Sequence, residues 1–197
     1  MIQFRIAGYL SRTETVKLGY AQSLMTVQSF APCPWQPAIF SRTQMKTFGN
    51  ESDRNTVLER LRRIKPDSQR RWGKMTAHQM ICHLNDSFKS VIGERQVSVR
   101  QTNALARTLI RWIALYAPFK WPHGVPTMAE NDQERGGTPP EEFQRDLNAL
   151  LEMIQRITSQ RRDFQWQRHP LFDEMAERDW LRWGYLHVDH HLRQFGV

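Results

Sequence analysis

Apolar residues recur every three or four positions through most of the chain after residue 53, which is the spacing of a helix with one buried face. The first such run carries four apolar residues and stops at Pro66. Proline has no backbone N–H and clashes with the preceding turn, so it ends a helix. A first helix is therefore predicted over 53–65.

Strong start signals predict two further helices. Thr76 and Gln79 have the spacing of a capping box, which predicts a second helix from Thr76 to about Ile92. A threonine, two prolines and a glutamate occupy 138–141, and this order is typical of a helix start. A helix is therefore predicted over 138–159.

Two more helices are predicted over 102–117 and 176–194, where apolar residues again follow a helical period. The connection over 118–137 has no such period, and a loop of this length in a compact domain is usually functional or mobile. No alternating strand pattern follows residue 53. The predicted fold is all-α: a four-helix bundle with an additional short helix and a long connecting loop.

Residues 1–44 differ from the rest of the chain. They contain four basic residues and a single acid, Glu14, and show little periodicity. Acid-poor leaders occur in targeting segments, but this one lacks a signal-peptide core. We interpret 1–44 as a disordered leader or an over-extended start, ahead of one helical domain at 45–197.

Composition indicates which kinds of partner and which cellular compartment to expect. The net charge of +8 is typical of nucleic-acid-binding proteins, but the arginines alternate with acids along the helical segments, which favours solvated helix faces. The longest apolar runs are too short for a membrane span. The two cysteines form no disulfide framework, which favours a reducing compartment. We expect a cytoplasmic protein that acts on a small molecule, without a membrane or nucleic-acid partner.

Three histidines are the candidate metal ligands. His187 and His191 lie one turn apart on the apolar side of the last predicted helix, with Cβ atoms about 5–6 Å apart. Burying two unpaired imidazoles costs about 1–3 kcal/mol each, and a shared metal ion removes that cost. His83, in the amphipathic second helix, is the best candidate for the third ligand. Three histidines leave one coordination position open for catalysis.

The neighbouring polar residues are assigned other roles. His190 lies about 100° around the helix from His191, so it is predicted not to bind the same ion. Asp86 follows His83 by three residues, and three roles are open to it: orienting an imidazole, acting as a base toward bound water, or capping a polar edge. Cys82 is adjacent to His83 and therefore points away from it on the helix.

Four segments carry a resemblance to a known family: Trp72–Leu84, Gly136–Pro140, His169–Phe172 and His187–Phe195. In this order and spacing they resemble the DinB/YfiT-like metalloenzyme superfamily, most closely its uncharacterised bacterial DinB-like domains. The resemblance extends from about residue 45 to the C-terminus.

The resemblance implies a four-helix bundle that holds one divalent ion, with zinc and nickel as the candidates, through His83, His187 and His191. Relatives include transferases and isomerases that use low-molecular-weight bacterial thiols. Some relatives have two adjacent histidines in the second helix where this chain has Cys82 and His83. The ligand position is retained, whereas inheritance of a particular activity is not implied.

Three functions are consistent with the residues. The first is a metal-dependent enzyme, best described as an S-transferase with a low-molecular-weight thiol as co-substrate. The second is a metal-dependent hydrolase. The third is a non-catalytic helical module that binds a partner or nucleic acid, with structural histidines. The aromatic content also permits a homodimer, but no sequence feature specifies its interface.

Overall fold

The computed structural model describes residues 45–99 and 103–197. The interpretation of residues 1–44, and the predicted helix start at Thr102, lie outside these ranges. Within them the chain is helical and has no β-strand, which confirms the all-α prediction. The elements are α1 (Glu51–Arg62), α2 (Ala77–Val91), α3 (Ala104–Tyr116), a 3-10 turn (Ala129–Asn131), α4 (Phe143–Thr158) and α5 (Glu177–Gln194). None of the described helices is long and apolar enough to cross a membrane.

The start of α2 follows its predicted capping box. The Thr76 side chain accepts a hydrogen bond from the backbone N–H of Gln79, and the Gln79 side chain accepts one from Thr76 N. The start of α1 lies two residues earlier than predicted, because the Asn50 side chain caps it by accepting from Asp53 N at 3.1 Å. Local side-chain chemistry therefore determines both helix starts.

The predicted helix start at Thr138 is wrong. Helix α4 begins at Phe143, and the Glu142 carboxylate caps it by accepting from the backbone N–H groups of Gln144 and Arg145 at 2.9 and 2.6 Å. Thr138 instead donates its N–H and its hydroxyl to the buried carboxylate of Asp86, both at 2.7 Å. A buried charge without hydrogen-bond donors costs more free energy than an uncapped helix end. Thr138 therefore binds Asp86 and does not cap α4.

The main core lies among α1, α2, α4 and α5, each of which packs against two of the others. Helix α3 packs mainly against α5 and is arranged differently. Its apolar side is turned outward, with Leu105, Leu109 and Trp112 exposed by 86%, 59% and 58%. Its inward side carries Arg107, which forms an ion pair with Asp173 at 3.2 Å. The apolar period of α3 therefore does not mark a buried face.

A glycine allows α5 to approach α2 closely. A Cβ atom at Gly184 would lie 3.0 Å from the Phe48 ring and 3.3 Å from the Phe88 ring, closer than side chains normally pack. Both phenylalanines are fully buried. Because Phe88 belongs to α2, the missing side chain brings the histidine-bearing turns of α5 next to that helix.

A pair of leucine substitutions tests this arrangement. Leu150 of α4 is fully buried, so Leu150→Ala should lower the free energy of unfolding by about 2–5 kcal/mol. The matched variant Leu109→Ala removes the same atoms from the exposed side of α3 and should cost about 0.5 kcal/mol or less. Urea unfolding of both variants measures the difference. Equal losses would show that the α3 side chain is also buried.

Candidate metal centre

The histidine trio of His83, His187 and His191 converges between α2 and α5. One ring nitrogen from each residue lies within 4.8 Å of the corresponding nitrogens of the other two. The Nε2 atoms of His83 and His187 are 3.2 Å apart. Nitrogens that each bind one ion at about 2.0–2.1 Å must lie about 3–4 Å apart. The structure thus brings together all three of the histidines predicted as ligands.

The orientation of His83 is determined by a backbone carbonyl. Its Nδ1 lies 2.8 Å from the carbonyl oxygen of Asn131, in the 3-10 turn of the long loop. A carbonyl oxygen can only accept, so Nδ1 carries the proton and Nε2 keeps its lone pair. A hydrogen bond from the other ring nitrogen to a carbonyl is what orients a histidine ligand in metal sites.

The same arrangement recurs at His191, through a side chain. The Nδ1 of His191 lies 2.8 Å from Oε1 of Gln194. The amide orientation is fixed, because Gln194 Nε2 donates to the carbonyl of Trp72 at 2.9 Å. Gly73, at φ 78°, leaves room for this amide: a Cβ there would lie 2.4 Å from Gln194 Nε2. Nε2 of His191 therefore also presents a lone pair.

His187 completes the trio without a comparable partner. Its Nδ1 is buried and has no hydrogen-bond partner among the described residues. Its Nε2 faces Nε2 of His83, whose lone pair is already directed there. One proton can join only one pair of these atoms, whereas one cation accepts three lone pairs at once. The donor set therefore fits a metal ion better than a proton.

Burial keeps the trio neutral. Loss of solvent lowers the pKa of His83, and it lowers the pKa of His187 and of His191 well below the usual histidine value. Mutual repulsion of positive charge within the trio lowers the pKa of His187 and His191 further. Neutral imidazoles bind metal ions, so the lone pairs are available at neutral pH.

Asp86 supports the site at a distance. Its side chain is fully buried, and it accepts from Thr138, from Gln133 Nε2 at 3.2 Å and from Arg95 at 3.4 Å. Arg95 in turn donates to the carbonyls of Glu130, at 2.8 Å, and Gly136. These contacts hold the loop that carries the Asn131 carbonyl. Within the described residues no hydrogen bond joins Asp86 to an imidazole, so the contacts fit a positioning role.

The trio lies at the wall of a cavity of about 860 Å³. Aromatic rings from four segments line it: Trp72, Phe119, Trp121, Phe172, Trp180 and Trp183. His190 also lines it, beside Trp72 and Trp121, and burial lowers the pKa of His190 to about 4. His190 is not among the converging nitrogens, in line with its predicted exclusion. A ligand in this cavity would meet mostly apolar surface.

A second group of potential ligands lies where α2 meets the start of α4. His78 Nε2 is 2.8 Å from Asp146 Oδ2, and Cys82 Sγ is 3.7 Å from the same oxygen. That oxygen also accepts from Glu141 N at 3.1 Å. Burial and the nearby carboxylate raise the pKa of Cys82 to about 12, which keeps the thiol protonated. Asp146 Oδ2 is already contacted by His78, Cys82 and the Glu141 N–H, so these contacts are explained by their joining of α2 to the start of α4.

A protein-family model described as "Protein of unknown function (DUF1569)" matches residues 50–196. The chain belongs to this family. The DUF1569 match includes all five described helices and the whole histidine trio. Comparison with curated proteins and with solved structures finds no match. Membership in DUF1569 assigns no reaction, so the argument for function rests on the geometry of the site.

The sequence did not reveal the residues that orient the ligands. Gln194 follows His191 by three positions, the spacing at which helical side chains meet, so a signal existed. Asn131 acts through its backbone carbonyl, which any residue type supplies. Trp72 also acts through its carbonyl, so residue identity gave no signal for either contact.

The metal-free protein should lose stability as the pH falls below about 6.5. An unfolded histidine binds a proton below about pH 6.5, whereas the trio stays neutral because desolvation lowers its pKa values, as it also does at His169 and His190. The unfolded state then binds more protons, so stability falls as the pH falls from 6.5 to 5, by about 1 kcal/mol per pH unit for each histidine.

Urea unfolding of chelator-treated protein across this pH range measures the slope. His191→Gln should reduce it by about one proton, whereas His123→Gln, at an exposed position, should leave it unchanged. A profile that is flat between pH 6.5 and 5 would contradict the neutral, buried trio.

Proposed function

We propose that this chain is a divalent-metal-dependent enzyme whose ion is held by Nε2 of His83, His187 and His191. The observation that carries the proposal is the pair of Nδ1–H contacts to Asn131 and Gln194, which turns two Nε2 lone pairs toward the third imidazole. Imidazole ligands suit zinc and nickel, the two candidate ions.

The proposal includes a DinB/YfiT-type four-helix bundle. Support comes from α1, α2, α4 and α5, which pack around one core, with one ligand on the second helix and two on the last. The four motifs that carry the resemblance also lie around the site. Trp72 accepts from Gln194, Thr138 binds Asp86, and His169 lines the cavity.

The donor set determines what chemistry the site can support. Three neutral imidazoles leave the charge of a divalent ion uncompensated, so a bound ion would lower the pKa of a thiol or water at its open position. Desolvation of the imidazoles strengthens electrostatic interactions at their nitrogens. The protein's own part is to orient the imidazoles and to keep them neutral.

Thiol S-transfer is the reaction class that these residues favour over hydrolysis. A hydrolase benefits from a general base beside the attacking water. The nearest candidate in the sequence, Asp86, is already bonded to Thr138, Gln133 and Arg95. A thiol ionises more readily than water and therefore depends less on such a base. The substrate pair we propose is a low-molecular-weight thiol and a small electrophile that fits the aromatic cavity.

Charge pairing favours an enzyme over a nucleic-acid-binding module. Arg60 pairs with Asp189 at 2.6 Å, Arg156 pairs with Glu94 and Asp163 at 2.5 and 2.9 Å, and other arginines are similarly engaged. Phosphate binding needs basic side chains that are free to displace counterions. These arginines are therefore already paired with acids within the fold.

Metal content is the direct test of the proposed site. Wild-type protein without a histidine tag, loaded with zinc or nickel and dialysed, should retain one ion per chain by mass spectrometry of the metal. His187→Ala removes one of three ligands, so it should lose the ion during dialysis.

His190→Ala is the matched control. It removes an imidazole from the same helix and the same cavity, but none of the converging nitrogens, so it should retain the ion. Wild-type protein that retains no ion, or a His187→Ala protein that retains as much as wild type, would refute the proposal.

A further inference from the structure

His169 lies in a tight turn that fixes the position of its proton. The residue exchanges two backbone hydrogen bonds with Asp173, both at 2.9 Å. Inside this turn its Nδ1 accepts from the backbone N–H groups of Leu171 and Phe172, at 3.1 and 3.2 Å. Nδ1 therefore has no proton, and in the neutral ring the proton is on Nε2.

The ring of His169 stays neutral and faces the cavity. Burial lowers the pKa of His169 to about 3, and the residue is 7% exposed. It stacks on Phe172 with ring centroids 4.2 Å apart, which fixes the plane of the ring. Because His169 lines the same cavity as the histidine trio, its Nε2–H is a donor available to a ligand there.

A second donor without a partner lies beside it. Trp180 also lines the cavity and is 3% exposed, and its indole N–H has no hydrogen-bond partner among the described residues. The His169 and Trp180 rings are 5.5 Å apart. A buried donor that stays unpaired costs about 1–3 kcal/mol, so a partner that enters with a ligand would relieve this cost.

Trp183 lies between His169 and the histidine trio that would hold the proposed ion. Its ring centroid lies 5.4 Å from that of His169 and 4.8 Å from that of His187. A molecule attached to the ion and lying along this indole would bring its far end to His169 and Trp180.

We propose that His169 and Trp180 bind an acceptor oxygen of a substrate whose other end ligates the ion held by the histidine trio. This inference rests on the proposed function and adds the chemical class of the ligand. The ligand has a metal-binding sulfur or oxygen, an apolar stretch that contacts Trp183, and a carbonyl or carboxylate oxygen beyond it. His169 and Trp180 then determine specificity.

Two matched thiols test the proposal in cobalt-loaded protein, where thiolate binding appears as a visible absorption band. N-acetylcysteamine has an amide carbonyl a few bonds from its sulfur, whereas 1-pentanethiol has the same chain length and no acceptor. His169→Asn keeps an acceptor for the Leu171 and Phe172 N–H groups at the Nδ1 position, and it removes the Nε2–H.

In His169→Asn the dissociation constant of N-acetylcysteamine should rise about five- to tenfold, as expected for one lost hydrogen bond. That of 1-pentanethiol should change less than about twofold, and cobalt affinity should be unchanged. Trp180→Phe removes the other donor and should show the same selectivity for the amide-bearing thiol, which provides a second test if His169→Asn folds poorly.

Three outcomes would overturn the proposed role of His169 and Trp180 and leave the metal site unaffected. They are equal changes for both thiols, no change for either thiol, and weakened cobalt binding. Wild-type protein that binds no cobalt would instead refute the proposed function, and this inference with it.

Discussion

Two imidazole N–H groups donate away from the centre of the site, and the remainder of the site follows from that constraint. His83 donates to the Asn131 carbonyl, and His191 donates to the Gln194 amide oxygen. Each bond commits Nδ1 and leaves the Nε2 lone pair directed inward. Ring nitrogens that converge in this way repel one another unless a proton or a cation lies between them, and only a cation can accept all three imidazoles at once. The arrangement therefore supports the proposed metal ion.

Contacts elsewhere in the fold hold those two acceptors in place. The Asn131 carbonyl belongs to a long loop, and the buried carboxylate of Asp86 anchors that loop through Thr138 and Arg95. Gln194 is held by the carbonyl of Trp72. Negative charge is thus placed on the loop side of α2, while the ligands of the proposed ion are neutral. With neutral ligands, the proposed divalent ion would keep its full charge for a substrate in the cavity.

Some of this arrangement could be predicted from the sequence. The spacing of His187 and His191 predicted two of the candidate ligands, because a helix places residues four apart on one face. The amphipathic segment around His83 predicted the third. The start of α4 could not be predicted locally, since Thr138 binds Asp86, which is 52 residues away. The exposure of the apolar side of α3 could not be predicted either, for another reason. Periodicity shows that a helix has an apolar side, but not whether another element covers it.

Zinc K-edge X-ray absorption of the untagged, zinc-loaded protein, recorded without added thiol, tests the central claim most directly. Coordination by the histidine trio predicts three imidazole nitrogens at about 2.0–2.1 Å and no sulfur bound to the zinc. A sulfur scatterer at about 2.3 Å would place the ion at Cys82, His78 and Asp146 instead, and would contradict the account.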